Sequence, residues 1–234
     1  MRHESSTVIA LVGRVPAGLL AALAESGNVA VVRAGGSDRS GAAGSTEPGG
    51  PDGSGRPAGT HGPAALAPPA LATWEPGARA LREAARRRAT YVVVAGDPLA
   101  GVASAWQAMW DVASGPGSAA SFEEQAADTL AAWRGKRFEL PDYYLVAATA
   151  DDAETSPDLY LGPLRAARPR RVAVTGTAGV GAGQASAPAM TANLLDTLRS
   201  LEHGPWWPPL DELIDTARRF HAGGLAEMQQ ARYS

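Results

Sequence analysis

The stretch from Thr90 to Val112, TYVVVAGDPLAGVASAWQAMWDV, decides the fold class. Its first part, Tyr91 to Ala95, is apolar without polar alternation, which is typical of a strand covered on both faces in a parallel sheet. Asp97 and Pro98 follow as a helix start, because Asp can cap orphan amide groups and Pro fits the first helical position. The stretch therefore predicts a buried central strand that passes directly into a helix.

The helix after this strand is predicted to have a heavy apolar face. Its large apolar side chains recur at helical spacing: Leu99, Val102, Trp106, Met109 and Trp110. A face of this kind is wide enough to cover a sheet. We therefore expect both tryptophans to lie in the core.

Short apolar runs alternate with helical patterns along the rest of the chain. Four further strands are predicted at Thr7–Val12, Asn28–Arg33, Asp142–Thr149 and Arg171–Val174. One extra helix follows the third strand unit and another closes the chain. This alternation indicates an α/β fold, which we predict to be a doubly wound, mostly parallel five-stranded sheet in three layers, flavodoxin-like or Rossmann-like.

In its order of elements the chain resembles response-regulator receiver domains over roughly Thr7 to Gly176. The stretches ALREAARRRATYVVVAGDP and YLVAATADDAE stand where a receiver has its third and fourth strands. The acidic pair that follows a receiver's first strand is replaced by Gly13 and Arg14, and the lysine after its fifth strand by Thr175 and Gly176. The resemblance therefore implies the fold type, and it does not imply a phosphoryl acceptor.

The segment 35–72 interrupts this pattern. It holds ten of the 27 glycines and six of the 18 prolines, with no aromatic residue and no Val, Ile or Met. Such a composition cannot bury enough apolar surface to offset the entropy of ordering, so we predict a disordered insertion rather than an active-site lid. The domain map is then a single α/β domain formed by 1–34 and 73–222, with a flexible tail at 223–234.

Composition excludes several classes of function. A net charge of −3 gives no reason to expect nucleic acid as a partner, and zero cysteines exclude thiolate chemistry and Cys-ligated metals. The sequence contains a single lysine, Lys136, so any mechanism that needs an ammonium group must use it. The start MRHESSTVIALVG lacks the apolar core of a signal peptide, and no run approaches a membrane span. We expect a soluble, cytoplasmic protein.

Candidate site residues stand where the predicted strands end, because ligands of open parallel sheets bind beyond the carboxyl ends of the strands. They are Arg14, Arg33, Asp97, Thr149, Asp151, Asp152, Thr175 and Thr177. Asp97 together with Asp151 or Asp152 has the chemistry to hold a magnesium ion. The alternative, which we favour, is that Asp97 caps its helix and the other two are solvated loop charges, so we predict no metal site.

A glycine-rich loop after the fifth strand is a second candidate. Its residues Gly176, Thr177, Gly179 and Gly181 stand between a strand and a helix, where backbone amides can cradle a phosphate. The loop matches neither the P-loop nor the dinucleotide fingerprint. A variable surface loop is therefore the favoured alternative.

Trp206 and Trp207 stand between prolines in the connection before the last helix. Two bulky rings in a rigid segment either fill the core beneath that helix or form an exposed anchor for a protein partner. No serine stands in a G-x-S-x-G elbow, so a hydrolase triad has no nucleophile.

Two hypotheses on function remain. The favoured one is a non-catalytic α/β binding or regulatory module, for a small-molecule ligand or a protein partner. The alternative is an enzyme that acts on a phosphate-bearing small molecule or nucleotide at the carboxyl ends of the strands, with magnesium as its metal.

Overall fold

A computed structural model describes residues 6–34 except 14, 16 and 17, and then 72–110, 117–148, 158–176 and 187–223. Its sheet has five strands: β1 (Thr7–Gly13), β2 (Val29–Arg33), β3 (Tyr91–Ala95), β4 (Tyr143–Ala148) and β5 (Val172–Gly176). All neighbouring strands run parallel, in the order β2-β3-β1-β4-β5. The predicted five-stranded parallel α/β architecture is confirmed. Of the predicted insertion and tail, only Ala72 and Gly223 are within the described residues.

Helices cover both faces of this sheet. They are α1 (Leu19–Ala24), α2 (Glu75–Ala84), α3 (Ala100–Ala108), α4 (Ser118–Arg134), α5 (Arg165–Ala167), α6 (Ala187–Arg199) and α7 (Leu210–Gly223), with a π-helical segment (Tyr160–Leu164) directly before α5. Buried leucines of α1 and α6 pack with Ile9 and Leu11 on one face. The alternate side chains of β1, Ala10 and Val12, pack with α3, α4, α7 and the π-helical segment on the other. The chain therefore forms three layers.

The strand order differs from both fold types named from the sequence. Flavodoxin-like sheets have the order 2-1-3-4-5 and Rossmann sheets 3-2-1-4-5-6, whereas here β1 is the middle strand, between β3 and β4. Hydrophobic runs predict that strands are buried, but the side on which each new strand is added depends on connections that periodicity does not encode.

The position of β1 creates a crevice at the carboxyl end of the sheet. The chain leaves β1 towards the face covered by α1, while it leaves β3 and β4 towards the face covered by α3 and the π-helical segment. Neighbouring connections that turn to opposite faces leave a gap between the strand ends, which is where ligands bind in open α/β sheets.

Helix α3 forms one wall of this gap. Its own residue Trp106 anchors the helix to the core on the side away from the gap. That side chain is fully buried, and its indole Nε1 donates a hydrogen bond to the carbonyl oxygen of Ala217 in α7, at 3.0 Å. Trp110 is partly buried against the same cluster and meets the Trp106 ring edge-on. The prediction for Trp106 is confirmed, although α3 ends at Ala108 and is shorter than its apolar pattern.

Candidate functional site

The gap between the strand ends, which we call the β1/β3 crevice, is a cavity of about 280 Å³. Its walls are mainly the small and apolar residues at the ends of β1 and β3 and on the first turns of α3. Three polar side chains face it: Asp97, Ser104 and Tyr160. No basic side chain of the described residues lines the crevice.

Asp97 is the centre of a buried polar cluster. Only 5% of the residue is exposed. Its carboxylate accepts one hydrogen bond from the hydroxyl of Tyr144, at 2.9 Å, and one from the hydroxyl of Tyr160, at 2.5 Å. The backbone amide of Leu99 donates to it as well. Buried carboxylates need such donors, because an unpaired charge in the interior is costly.

The protonation of this cluster follows from its burial. Desolvation raises the pKa of Asp97 to about 6, and the hydrogen bonds from Tyr160, Leu99 and Tyr144 lower it only in part. Desolvation and the neighbouring carboxylate hold the pKa of both tyrosine hydroxyls well above their usual range. The tyrosines therefore remain neutral donors, and Asp97 is the group that changes charge near neutral pH.

Separate elements bring the two tyrosines to Asp97. Tyr144 is a fully buried residue of β4, and Tyr160 begins the π-helical segment. Pro163 lies inside that segment and has no amide hydrogen for an ordinary helical bond, which is a recognised cause of a locally altered turn. The two rings lie with their centroids 5.1 Å apart, and both hydroxyls reach the same carboxylate.

Gly77, in the first turn of α2, allows this helix to pack directly against the backbone of Asp97. A Cβ atom at this position would lie 2.1 Å from the Asp97 carbonyl carbon, so only glycine allows the helix to approach so closely. Helix α2 therefore supports the backbone of Asp97.

The prediction that Asp97 caps its helix describes only part of its role. Helix α3 begins at Ala100 with Leu99 as its N-cap residue, and Leu99 itself makes no side-chain cap. The Asp97 carboxylate accepts the amide hydrogen of Leu99 in the turn that leads into α3, and its two other hydrogen bonds come from the hydroxyls of β4 and the π-helical segment. Sequence reasoning considered only the local partners of Asp97, whereas these two donors are 47 and 63 residues away.

Of the other predicted site residues, the structure describes Arg33, Thr175 and Gly176, and these do not join this cluster. Arg14, Thr149, Asp151, Asp152, Thr177, Gly179 and Gly181 lie outside the described residues, and Gly176 ends β5. Arg33 is exposed at the end of β2, and the Thr175 hydroxyl donates to the Val146 carbonyl oxygen at 3.2 Å. The ranges that the structure describes contain no group of three His, Asp or Glu side chains arranged for a metal.

A signal in the first turn of the chain was missed. After β1 the sequence reads GRVPAGLL, in which Gly13 and Gly18 have the spacing of the two glycines in the P-loop pattern G-x-x-x-x-G-K-[ST]. Both adopt positive φ angles, 92° and 88°, and α1 begins directly after Gly18. Leu19 and Leu20 stand where the pattern requires Lys and Ser or Thr. The turn keeps the glycines of a phosphate loop and lacks its ammonium and its metal-binding hydroxyl.

Trp206 and Trp207 differ in burial: Trp207 lies in the core, as the first of the two predicted alternatives requires, and Trp206 is exposed, as the second requires. Trp207 is buried, and its Nε1 donates to the Pro141 carbonyl oxygen at 2.8 Å. Trp206 is 47% exposed, with the guanidinium of Arg171 4.8 Å from its ring centre. Arg171 also donates to the carbonyl oxygens of this connection, including that of Gly204 at 2.8 Å. The connection is therefore pinned to the sheet, with one ring inside and one at the surface.

Comparison with models of protein families, with curated proteins and with solved structures finds no match for this chain. Among the described helices, none combines the length and the apolar character needed to cross a membrane. The site is therefore interpreted from its own chemistry.

Proposed function

We propose that this chain is a non-catalytic α/β binding module, in the cytoplasm, whose β1/β3 crevice holds a small organic molecule. The observation that supports this most is the Asp97 carboxylate, which is buried, hydrogen-bonded by two tyrosines and part of the crevice wall. A largely apolar cavity with a few convergent polar groups and a perturbed acid is the usual form of a small-molecule site.

The chemistry of the wall selects the ligand. Asp97 is the one acid facing the crevice in the described residues, and its neighbours Ala100 and Ala103 are apolar. A carboxylate in an apolar cavity attracts a positive charge strongly, because the low dielectric does not screen it. We therefore expect a ligand with a compact apolar body and an amine that donates to Asp97.

Catalysis on a phosphate-bearing substrate is the second candidate, and one observation favours it. Gly13 and Gly18 have the spacing of the P-loop glycines, and Gly13 lines the crevice together with Asp97. Against it stand Leu19 and Leu20, because phosphoryl transfer at such a loop depends on the lysine and on the hydroxyl that holds magnesium. A binding module needs neither group. A contact with a protein partner through Trp206 stays a prediction, and it too belongs to a binding module rather than to an enzyme.

The proposal is tested with three molecules of similar shape and different charge: benzylamine, benzyl alcohol and benzoate. Isothermal titration of the full chain at pH 7.5 should give the tightest binding for benzylamine, with a Kd of about 1 mM for a fragment of this size. Benzyl alcohol should bind more weakly and benzoate least. Equal binding of benzoate and benzylamine would contradict the proposed site.

Two variants control the experiment. Asp97→Asn removes the charge and should abolish the preference for the amine, whereas Asp196→Asn removes a charge from the exposed surface of α6 and should change nothing. Lowering the pH from 7 to 5 should weaken benzylamine binding about tenfold, because the pKa of Asp97 is raised to about 6. Saturable binding of ATP with magnesium that is lost in Asp97→Asn would favour the enzyme instead.

A further inference from the structure

A second cavity opens at the opposite, amino end of the sheet, away from the crevice. Its volume is about 480 Å³, and it lies between α2, the end of α4 and the second residue of β1, Val8. The apolar side chains of Leu81 and Phe138 contribute to its wall. A cavity of this size accommodates a small organic molecule.

Three basic residues line this cavity, which we call the basic groove: Arg82, Lys136 and Arg137. One carboxylate, Glu139, lines it too. All three basic residues are exposed, and within the described residues none of them forms an ion pair. The residues that line the groove therefore carry three positive charges and one negative charge, which leaves an excess of positive charge.

Other contacts hold two of these side chains in place. The Arg82 guanidinium donates to the carbonyl oxygen of Arg137, at 3.4 Å. The Arg137 guanidinium lies 5.6 Å from the ring centre of Trp74. Both contacts orient a cation without neutralising it, since neither a carbonyl oxygen nor an aromatic ring carries a full negative charge.

Lys136 occupies a backbone position that disfavours lysine. Its φ angle is 54°, the one positive φ of a non-glycine residue in the described chain. The amide of Lys136 donates to the Trp133 carbonyl oxygen at 2.8 Å, and the amide of Arg137 to that of Ala132 at 3.0 Å. These two bonds end α4 in a Schellman motif, whose left-handed residue is usually glycine. The single lysine of the chain thus stands where glycine fits best, beside a cavity that already holds two arginines.

We propose that the basic groove binds a small organic polyanion, a molecule with at least two phosphate or carboxylate groups. The planar fork of Arg82 matches the oxygens of either group, and the Lys136 ammonium adds a compact charge. The Arg137 guanidinium, over Trp74, adds positive charge beside the groove. The apolar wall receives the carbon skeleton. The inference uses no residue of the crevice, so its failure and that of the proposed function are separate results.

The test is isothermal titration of the full chain with inorganic pyrophosphate and with citrate, at constant ionic strength and without added metal. Pyrophosphate represents the phosphate source and citrate the carboxylate source, and saturable binding of either supports the groove. Lys136→Gly should weaken that binding about tenfold or more, as expected for a charge-assisted contact. The same variant should keep or raise the melting temperature, because glycine relieves the left-handed backbone. Loss of binding therefore cannot be blamed on unfolding.

Arg134→Ala is the matched control. Arg134 lies two residues before Lys136, is 63% exposed and pairs with Asp211 at 3.8 Å instead of lining the groove. This variant should bind like the wild type, and so should Asp97→Asn. Equal binding by Lys136→Gly, Arg82→Ala and the wild type would overturn the inference, as would the absence of saturable binding up to about 10 mM of both anions.

Discussion

The two ends of one parallel sheet carry opposite chemistry. At the carboxyl end a single acid, Asp97, is buried and held by two tyrosine hydroxyls. At the amino end three basic residues line an open groove, and two of them contact neutral partners. The net charge of −3 therefore does not indicate what either end of the sheet can bind. What a surface can bind follows from which charges are left unpaired and how deeply they are buried.

Removing Trp106 should have the largest effect, because it supports the α3 wall of the crevice from behind. Trp106→Ala empties a fully buried site and removes the indole hydrogen bond to the Ala217 carbonyl oxygen. We expect a loss of about 3 to 5 kcal/mol in the free energy of unfolding, measured by urea denaturation. Trp206→Ala, at a half-exposed ring, should cost less than about 1 kcal/mol. Equal costs would mean that α3 is not packed as described.

The pH dependence of the free energy of unfolding tests whether the Asp97 carboxyl group is buried in the folded protein. The pKa of Asp97 is raised from 3.8 to about 6 in the folded protein, so the folded state holds its proton more tightly than the unfolded state does. Its contribution to stability is full below pH 3.8 and is lost as the pH rises through 6. The total is about 3 kcal/mol.

This contribution is isolated by comparison with Asp97→Asn, which cannot titrate. Urea denaturation of both proteins from pH 4 to pH 7 should show the variant gaining about 2.5 kcal/mol relative to the wild type, most of the full effect. Other titrating groups cancel in this difference. A difference that stays flat over the same range would show that Asp97 is solvated.

Deleting one hydroxyl of the cluster should have a smaller effect. Tyr160→Phe removes one of the two hydroxyl donors to the buried carboxylate and should cost about 1.5 to 3 kcal/mol at pH 7.5. At pH 5 the cost should shrink, because Asp97 is then mostly protonated. Tyr143→Phe is the control, since its hydroxyl donates to the neutral carbonyl oxygen of Glu202 at 3.2 Å. That variant should cost about 1 kcal/mol at either pH.

The smallest expected effect concerns the amino end and has the opposite sign. Lys136→Gly should stabilise the protein by up to about 1 kcal/mol, because it removes a side chain from a left-handed backbone position. Thermal unfolding in a buffer without phosphate or citrate measures this directly. Arg134→Gly places glycine inside the last turn of α4 instead and should destabilise by about 1 kcal/mol. A loss of stability in Lys136→Gly would show that the left-handed backbone at this position is not strained by lysine.

The sequence predicts most of the architecture and one residue of the candidate site. Apolar runs without alternation locate the strands, because parallel strands are buried on both faces, and the helix after β3 has the periodicity of a core-facing helix. Asp97 is identified because it follows the apolar strand β3, although the predicted central position of that strand is wrong, since β1 is the middle strand. Its interpretation as a cap is incomplete, since beside the Leu99 amide its carboxylate binds Tyr144 and Tyr160, which come from other elements.

Two further features could not be found by the reasoning used. The strand order decides which loops meet at the crevice, and it depends on which face each connection crosses. The basic groove joins Arg82 to Lys136 and Arg137 across more than 50 residues, and nothing in their local patterns links them. By contrast, the spacing of Gly13 and Gly18 is visible in the sequence itself and matches the two glycines of the P-loop pattern.

The most direct test of the contrast between the two ends is a crossed titration of benzylamine and pyrophosphate against wild type, Asp97→Asn and Lys136→Gly. We predict that Asp97→Asn loses benzylamine and keeps pyrophosphate, while Lys136→Gly loses pyrophosphate and keeps benzylamine. Pyrophosphate binding that is kept in Lys136→Gly and becomes tighter in Asp97→Asn would contradict the account, because removal of the carboxylate relieves repulsion only for an anion bound beside it. That result would move the anion to the β1/β3 crevice and favour an enzyme acting on phosphates.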